Sequence, residues 1–300
     1  MPRARVRTPG SVASVSDLER RLAVSGHLAR LEESRQAPGS WTLYVDGTPQ
    51  SHVELDRPDW LGFEYVRRIG HAIDLVRPAA EPITAVHLGG GALTLPRYVA
   101  ATRPGSRQQV VELESDLVDL VREHLPLPRG AQVRVRHGDA REVLQKLPHG
   151  LDGAVDIVVV DIFSGARTPA HVTSVEFYEL IAPRLAPGGI VAVNVADGAG
   201  LAFARPQAAT LGHVFGHVAI AADTSMLKGR RFGNVVMYAS NDELPFAELP
   251  RRLASDPAPA KLVDGDELRR FIAGAPVVTD ATAVPSPPPA RSVFLSKPGA

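Results

Sequence analysis

The sequence predicts an α/β protein: a covered, mostly parallel seven-stranded sheet preceded by a small antiparallel β-region. Three observations carry this. Short, continuous apolar runs alternate with stretches of helical apolar spacing, the pattern of strands buried on both faces. Three consecutive glycines, Gly89, Gly90 and Gly91, follow the first of those runs and precede a helix. The last two runs, Val218 to Ala222 and Asn234 to Ala239, leave no room for a crossover helix between them, so they pair antiparallel.

Each element follows from local signals. Asp17 to Val24 reads as a short helix or strand. His27 to Glu33, Ser40 to Asp46 and Gln50 to Leu55 read as short strands, with Ala37-Pro38-Gly39 and Asp46-Gly47 as turns between them. After a break at Asp56 to Trp60, Leu61 to Val76 has helical apolar spacing through Leu61, Tyr65, Ile69 and Ile73. The main sheet then begins: strand Ile83 to Leu88, helix Ala92 to Thr102, strand Gln109 to Leu113, and a helix from Ser115, its expected cap, to Leu125. Strand Gln132 to Arg136 leads to a helix capped by Asp139 and running to Leu147. Strand Asp156 to Ile162 precedes a helix, Ser174 to Leu185, stopped by Pro187-Gly188-Gly189. Strand Ile190 to Val195 and helix Gln207 to Phe215 lead to the closing pair, whose turn, Lys228 to Phe232, is basic. Glu248 to Ala273 reads as peripheral helix, and the Pro-rich end around Pro285 to Pro289 as extended or disordered. The expected divisions are 1–26, a tail and short element; 27–78, a small β-domain with its linking helix; 79–245, the sheet domain; and 246–300.

Composition narrows the function. Lys plus Arg and Asp plus Glu both number 33 in the 300 residues, so charge points neither to nucleic acid nor to an acidic membrane. With no cysteine, disulfides, thiolate catalysis and Cys-based zinc sites are excluded. No apolar run reaches the roughly eighteen residues of a bilayer span. Met1 to Ser16 is basic and Ser-rich without an apolar segment, so a loose tail on a cytoplasmic protein is expected rather than a secretory leader.

The chemistry gathers at one sheet edge, since ligands of open parallel sheets bind beyond the strands' carboxyl ends. Four features share it: the Gly89 to Gly91 turn, Glu112, Asp139 and Asp161. Thr94 occupies the third glycine position of a dinucleotide fingerprint, and no Gly-Lys-Ser/Thr follows. The reading is therefore an adenosine without a phosphate cradle, against a plain strand-to-helix turn. Glu112 has the alternative of a solvated strand end, and Asp139 that of a helix cap alone. Asp161, after the four apolar residues Ile157 to Val160, is a partly desolvated carboxylate that needs a partner or a task. Elsewhere the signals are weaker. His213 and His217 have metal-like spacing without an adjacent acid, and read as a solvated pair. Lys228, Arg230 and Arg231 read as a solvated hairpin. Trp41, Trp60 and Phe163 read as packing residues, Phe163 with the option of cation–π contact to a bound cation. No G-x-S-x-G elbow occurs.

Together these segments resemble a known family. Leu88-Gly89-Gly90-Gly91, Val111-Glu112-Leu113-Glu114, Gly138-Asp139-Ala140, Val159-Val160-Asp161-Ile162-Phe163 and Gly233-Asn234-Val235-Val236 are similar to motifs of the spermidine synthases, the polyamine aminopropyltransferases. So are Leu43 to Gln50, Thr173 to Tyr178 and Arg231 to Asn234, which extends the resemblance over residues 27 to 240. It implies a Rossmann-like sheet of the S-adenosylmethionine-dependent transferase type, and aminopropyl transfer from decarboxylated S-adenosylmethionine to an amine without a metal. Gln50 and Glu112 would hold the ribose side, with Gly89, Gly90, Gly91 and Ala140 around the nucleoside. Asp139 would meet the adenine amino group. Asp161 would bind the nucleoside's reactive arm, hold the attacking amine and take its proton. The partners implied are small-molecule substrates and a second copy in a homodimer.

The departures lie on the amine side. Ala92 stands where the family has an acid after the glycines, and Ser164 where it has a second acid after the catalytic one. Asp59 to Tyr65 keeps the first Asp of a helix motif but loses its Tyr-His-Glu order; Glu64 is the nearest replacement acid. The expectation is an adenosine half that is kept and a diamine half that is eroded, with weak or altered acceptor use. Methyl transfer from S-adenosylmethionine and non-catalytic nucleoside binding are the alternatives.

Overall fold

The computed structural model describes residues 18–165 and 167–288; the tail expected at Met1 to Ser16 lies outside them. Four antiparallel strands come first: β1 (Glu19–Arg21), β2 (Leu28–Glu33), β3 (Ser40–Val45) and β4 (Thr48–Glu54). The Asp17 to Val24 stretch thus resolves as strand. Asp46 and Gly47 join β3 to β4 with φ of 47° and 76°, the positive pair that a two-residue hairpin of the strands' own twist demands. Ala29, Leu31, Leu43 and Val53 put their apolar face against Ala92, Leu93, Leu117 and Leu120 of the larger unit. One core therefore joins the two sheets.

The large sheet has eight strands in the order β12-β10-β11-β9-β8-β5-β6-β7. Seven were expected: β5 (Thr84–Leu88), β6 (Arg107–Glu112), β7 (Gln132–His137), β8 (Val155–Val160), β9 (Leu185–Asp197), β10 (His217–Ala222) and β11 (Gly233–Ser240). The strands β5 to β9 run parallel, and β11 pairs antiparallel with both β9 and β10. The eighth, β12 (Lys261–Val263), adds to the edge against β10. It corrects the reading of Glu248 to Ala273 as helix: the segment is α8 (Leu249–Ser255), the strand, then α9 (Gly265–Ile272). Three residues are too few to show a period of two.

The other helices are α1 (Glu64–Leu75), α2 (Thr94–Thr102), α3 (Ser115–His124), α4 (Ala140–Gln145), α5 (Val175–Ile181), α6 (Ala204–Val214) and α7 (Thr224–Leu227). They cover both faces, and alternate residues of β5 point to opposite sides. Val86 and Leu88 join a core with Phe177, Tyr178 and Leu211, whereas Ala85 joins Ile69, Ile73 and Val99. The strand order reverses at β5: β6 and β7 continue to one side, β8 and β9 to the other. The crevice between the ends of β5 and β8 is the topological switch point, where such sheets take ligands.

Two expectations about helix ends are corrected. Ser115 is the first residue of α3 rather than its cap, and Glu114, at the cap position, uses its carboxylate on the Val24 and Ser25 amides instead. Ser174 does cap α5, accepting from the Phe177 amide. That helix ends at Ile181, and β9 begins at Leu185, so Pro187-Gly188-Gly189 lies within a strand with a register shift rather than terminating a helix.

The C-terminal run from Gly274 to Pro288 has no helix or strand, yet it is fastened down. Val278 accepts from the Val175 amide, Asp280 pairs with Arg141, and the buried Ser286 exchanges hydrogen bonds with the Thr168 backbone. Among the described residues no helix is long and apolar enough to cross a membrane.

Candidate active site

The glycine turn is wedged between the two sheets. Gly89, at φ +97°, has its missing Cβ direction only 2.1 Å from the Asp161 carbonyl oxygen, so any side chain there would drive into β8's exit. The Asp161 amide donates to Leu88 at 2.9 Å, and the Gly89 amide to Val111 at 2.9 Å, which ties three strand ends together. On the other side, a Cβ at Gly91 would lie 2.5 Å from the Ser51 hydroxyl of β4. The Ala92 amide donates to that hydroxyl at 3.2 Å, and Thr94 donates to the His52 carbonyl at 3.0 Å.

The carboxylates are fixed in different ways. Glu112, at the end of β6, accepts from the Gly90 and Gly91 amides through one oxygen (2.8 and 3.3 Å) and from the Glu114 amide through the other (3.1 Å). Asp139 caps α4, one oxygen accepting from the Arg141 and Glu142 amides at 2.9 and 3.1 Å. Its second oxygen lies 2.7 Å from His171 Nε2. Burial pushes the Asp139 pKa up, but the Glu142 amide and His171 outweigh it, and the group stays below its ordinary value. The cap is thus real and leaves a face of the side chain in the cleft.

Asp161 is the first residue past β8. Desolvation lifts its pKa to about 6, although Asn194 and the hydroxyl of Tyr65 favour the ionised form. Asn194 Nδ2 donates to it at 2.8 Å; Asn234 Nδ2 donates to Asn194 Oδ1 at 2.9 Å; the buried Arg68 donates to the Asn234 carbonyl at 3.2 Å. A chain of side chains across β9 and β11 therefore aims the carboxylate. Asn194 was read only as part of an apolar strand. The available signal was a lone amide in a run otherwise buried on both faces.

One cleft of about 1340 Å³, its solvent-filled mouth included, is lined by Gln50, Gly89, Gly90, Gly91, Glu112, Asp139, Ala140 and Asp161. Every site residue expected from sequence faces it. So do Ser51, Tyr65, His87, Phe163, Ser164 and His171. Gln50 Nε2 donates to the Gly165 carbonyl at 3.3 Å, which links β4 to the loop after Asp161. Glu64 does not line the cleft: it faces Arg68 at 3.5 Å and Arg231 at 3.6 Å, which overturns its expected part as a replacement acid. Arg231 also contacts Asp223 at 3.2 Å, so this part of the basic turn is paired rather than merely solvated. Ala92 is fully buried in the core between the sheets. His213 and His217 are exposed, and among the described residues no group of three or more His, Asp or Glu is arranged to hold a metal ion.

No protein-family model matches the chain. Polyamine aminopropyltransferase 2 of Pseudomonas aeruginosa is 31% identical to it over 245 residues, spanning 71% of this chain and 68% of that protein. The chain belongs to the polyamine aminopropyltransferase family. A second polyamine aminopropyltransferase, from Vibrio vulnificus, is 29% identical over 133 residues, 44% of this chain and 43% of that one. The crystal structure of a probable spermidine synthase from Corynebacterium glutamicum superposes with a TM-score of 0.80 at 34% identity, covering 90% of this aminopropyltransferase-family chain and 97% of the other. Spermidine synthase from Thermotoga maritima shares the fold at 13% identity with a TM-score of 0.54.

Proposed function

We propose that this family member transfers the aminopropyl group of decarboxylated S-adenosylmethionine to an amine, with Asp161 as the proton acceptor. The observation that carries the reading is a buried carboxylate with a pKa lifted to about 6, aimed by Asn194, in one cleft with Glu112 and Asp139.

The chemistry follows from those groups. The lone pair of a neutral amine attacks the carbon next to the sulfonium. A C–N bond forms, the C–S bond breaks, its electron pair stays on sulfur, and methylthioadenosine leaves. The new ammonium gives its proton to Asp161. A carboxylate with a pKa near 6 is ionised at neutral pH and takes that proton more readily than an ordinary one. The sulfonium is already an activated leaving group, so the displacement needs no metal. Holding the amine in line is the larger part of the protein's task. Gln50 and Glu112 take the ribose hydroxyls, Asp139 takes the adenine amino hydrogens, and the glycine turn with Ala140 lets the nucleoside lie close to the backbone. Ionised carboxylates accept only, which matches the hydroxyl and amino donors.

The amine side is reduced. Positions 92 and 164 carry alanine and serine, so Asp161 stands there without a second acid. We take the acceptor preference to be altered from a plain diamine. One observation favours methyl transfer as a second reading: with Ala92 in place, no carboxylate at that position repels the carboxylate of full S-adenosylmethionine. The assembly implied by the family is a dimer, and the setting cytoplasmic; sedimentation checks the first.

The test supplies decarboxylated donor with putrescine, longer diamines and monoamines, and separately methyl-labelled S-adenosylmethionine, with methylthioadenosine binding followed by calorimetry. Aminopropylated product supports the proposal. Methylated product alone would replace it, and nucleoside binding without turnover would make the chain a binding protein.

A further inference from the structure

His87 is an anomaly in the middle of a buried strand. Its ring is 1% exposed, yet it borders the cleft beside Tyr65, Val66, Leu95, Pro96 and Val159. Alternation along β5 sends it to the α1 and α2 side, beneath the start of α2. A valine or leucine would satisfy that strand position without bringing a polar group.

The hydrogen-bond network fixes its tautomer. Gln108 Nε2 donates to the Pro96 carbonyl at 3.0 Å, so the Gln108 amide is oriented with its oxygen toward His87. That oxygen lies 2.9 Å from His87 Nε2 and can only accept, so Nε2 carries the proton. Nδ1 is then a bare lone pair, and it has no partner among the described residues. Burial drives the ring pKa down to about 4, so protonation does not fill the vacancy at neutral pH. A buried acceptor left unmatched is destabilising, and such an atom beside a ligand cleft marks a place that ligand atoms complete.

We infer that His87 determines specificity on the amine side: its Nδ1 accepts a hydrogen bond from an alkylammonium group reaching the cleft floor. The inference rests on the proposed transfer reaction. It supplies an uncharged acceptor in a cleft where Ser164, rather than a second acid, follows Asp161. Two groups share the required chemistry, the aminopropyl arm of the donor and the far amine of the acceptor.

The full chain with 15N-labelled histidine tests it. In the free protein the His87 signals show Nε2 protonated and Nδ1 bare. Three probes follow, each checked for binding by calorimetry: methylthioadenosine, which has no ammonium; S-adenosyl-3-thiopropylamine, which carries the aminopropyl arm; and methylthioadenosine with putrescine. The Nδ1 resonance moves upfield with the second probe if the donor's arm is the partner, or only with the third if the acceptor is, and not with methylthioadenosine alone. A protonated Nδ1 in the free protein overturns the inference. So does an unmoved resonance when calorimetry shows both ammonium probes bound, a result that leaves the transfer reading standing. Failure to bind any of the three overturns both.

Two variants separate binding from structure. His87→Asn keeps an acceptor near the Nδ1 position but loses the Gln108 contact; His87→Gln reaches Gln108 but offers nothing at Nδ1. His87→Gln is expected to raise KM for the ammonium-bearing substrate about tenfold, the loss of one charge-assisted hydrogen bond, with kcat and methylthioadenosine affinity little changed. His87→Asn stays closer to the parent in KM although it is less stable to heat. The reverse ranking in KM makes His87 a structural residue and sinks the inference.

Discussion

Glu112 and Asp139 take their hydrogen bonds largely from backbone amides, whereas Asp161 takes its bond from the side chain of Asn194. The first arrangement is set as soon as the turns after β5 and β7 form. It gives acceptors that are fixed in place, suited to holding a nucleoside. The second depends on packing across β9 and β11, and it leaves a carboxylate with a lifted pKa, suited to taking a proton. Two kinds of carboxylate in one cleft separate binding from chemistry, as environment-tuned pairs do elsewhere.

The sharpest way to break this contrast is Asp161→Asn. Transfer falls by two to four orders of magnitude, on the order of what a lost general base costs, while methylthioadenosine binds as before. Equal turnover by the variant removes Asp161 as the base. The same change acts oppositely on stability. The folded-state pKa, about 6, lies above the ordinary 3.8, so the folded protein holds more protons between those values. Stability from this group therefore declines as pH rises from about 4 to 6 and stays lower above, and Asp161→Asn raises the melting temperature at pH 8.

Gly89→Ala comes next. The left-handed backbone and the 2.1 Å approach to Asp161 cost on the order of 1–3 kcal/mol in strain alone, with the clash added. Thermal melting and calorimetry check it: both stability and nucleoside binding fall, because this contact joins the two halves. Glu112→Gln is more selective. Nucleoside affinity drops about tenfold in equilibrium titration, while turnover at saturating donor changes little. Asn194→Ala sharpens the other half. Without its hydrogen bond the Asp161 pKa rises above about 6, so the acid limb of the pH–rate profile moves to higher pH. An unmoved limb shows that Asn194 does not set the base.

Much of this was legible in the chain because a triple glycine and strand-end acids are local signals. Gly89, Glu112, Asp139 and Asp161 each lie at or just past the end of a strand, and parallel strands bring those ends to one edge. Ligand preference on the amine side was less legible, because it rests on contacts between residues far apart in sequence. Glu64 looked available until Arg68 and Arg231 engaged it. Asn194 and His87 were hidden inside strands read only for apolarity; their partners, Asn234 and Gln108, lie on neighbouring strands. The short β12 has no signal of its own in the sequence, because pairing with β10 makes it a strand.

The buried serine near the chain's end has a wider bearing. Ser286 clasps Thr168, and Asp280 grips Arg141 and Ser174, so the stretch from Val278 to Ser286 is buckled over the lip that follows Asp161. The tail therefore braces that lip. Clipping the chain after Val277 should leave nucleoside affinity near the parent's while making the segment between Ile162 and Thr173 a fast target for limited proteolysis. The brace on the loop beside Asp161 thus comes from residues more than a hundred positions away in the chain.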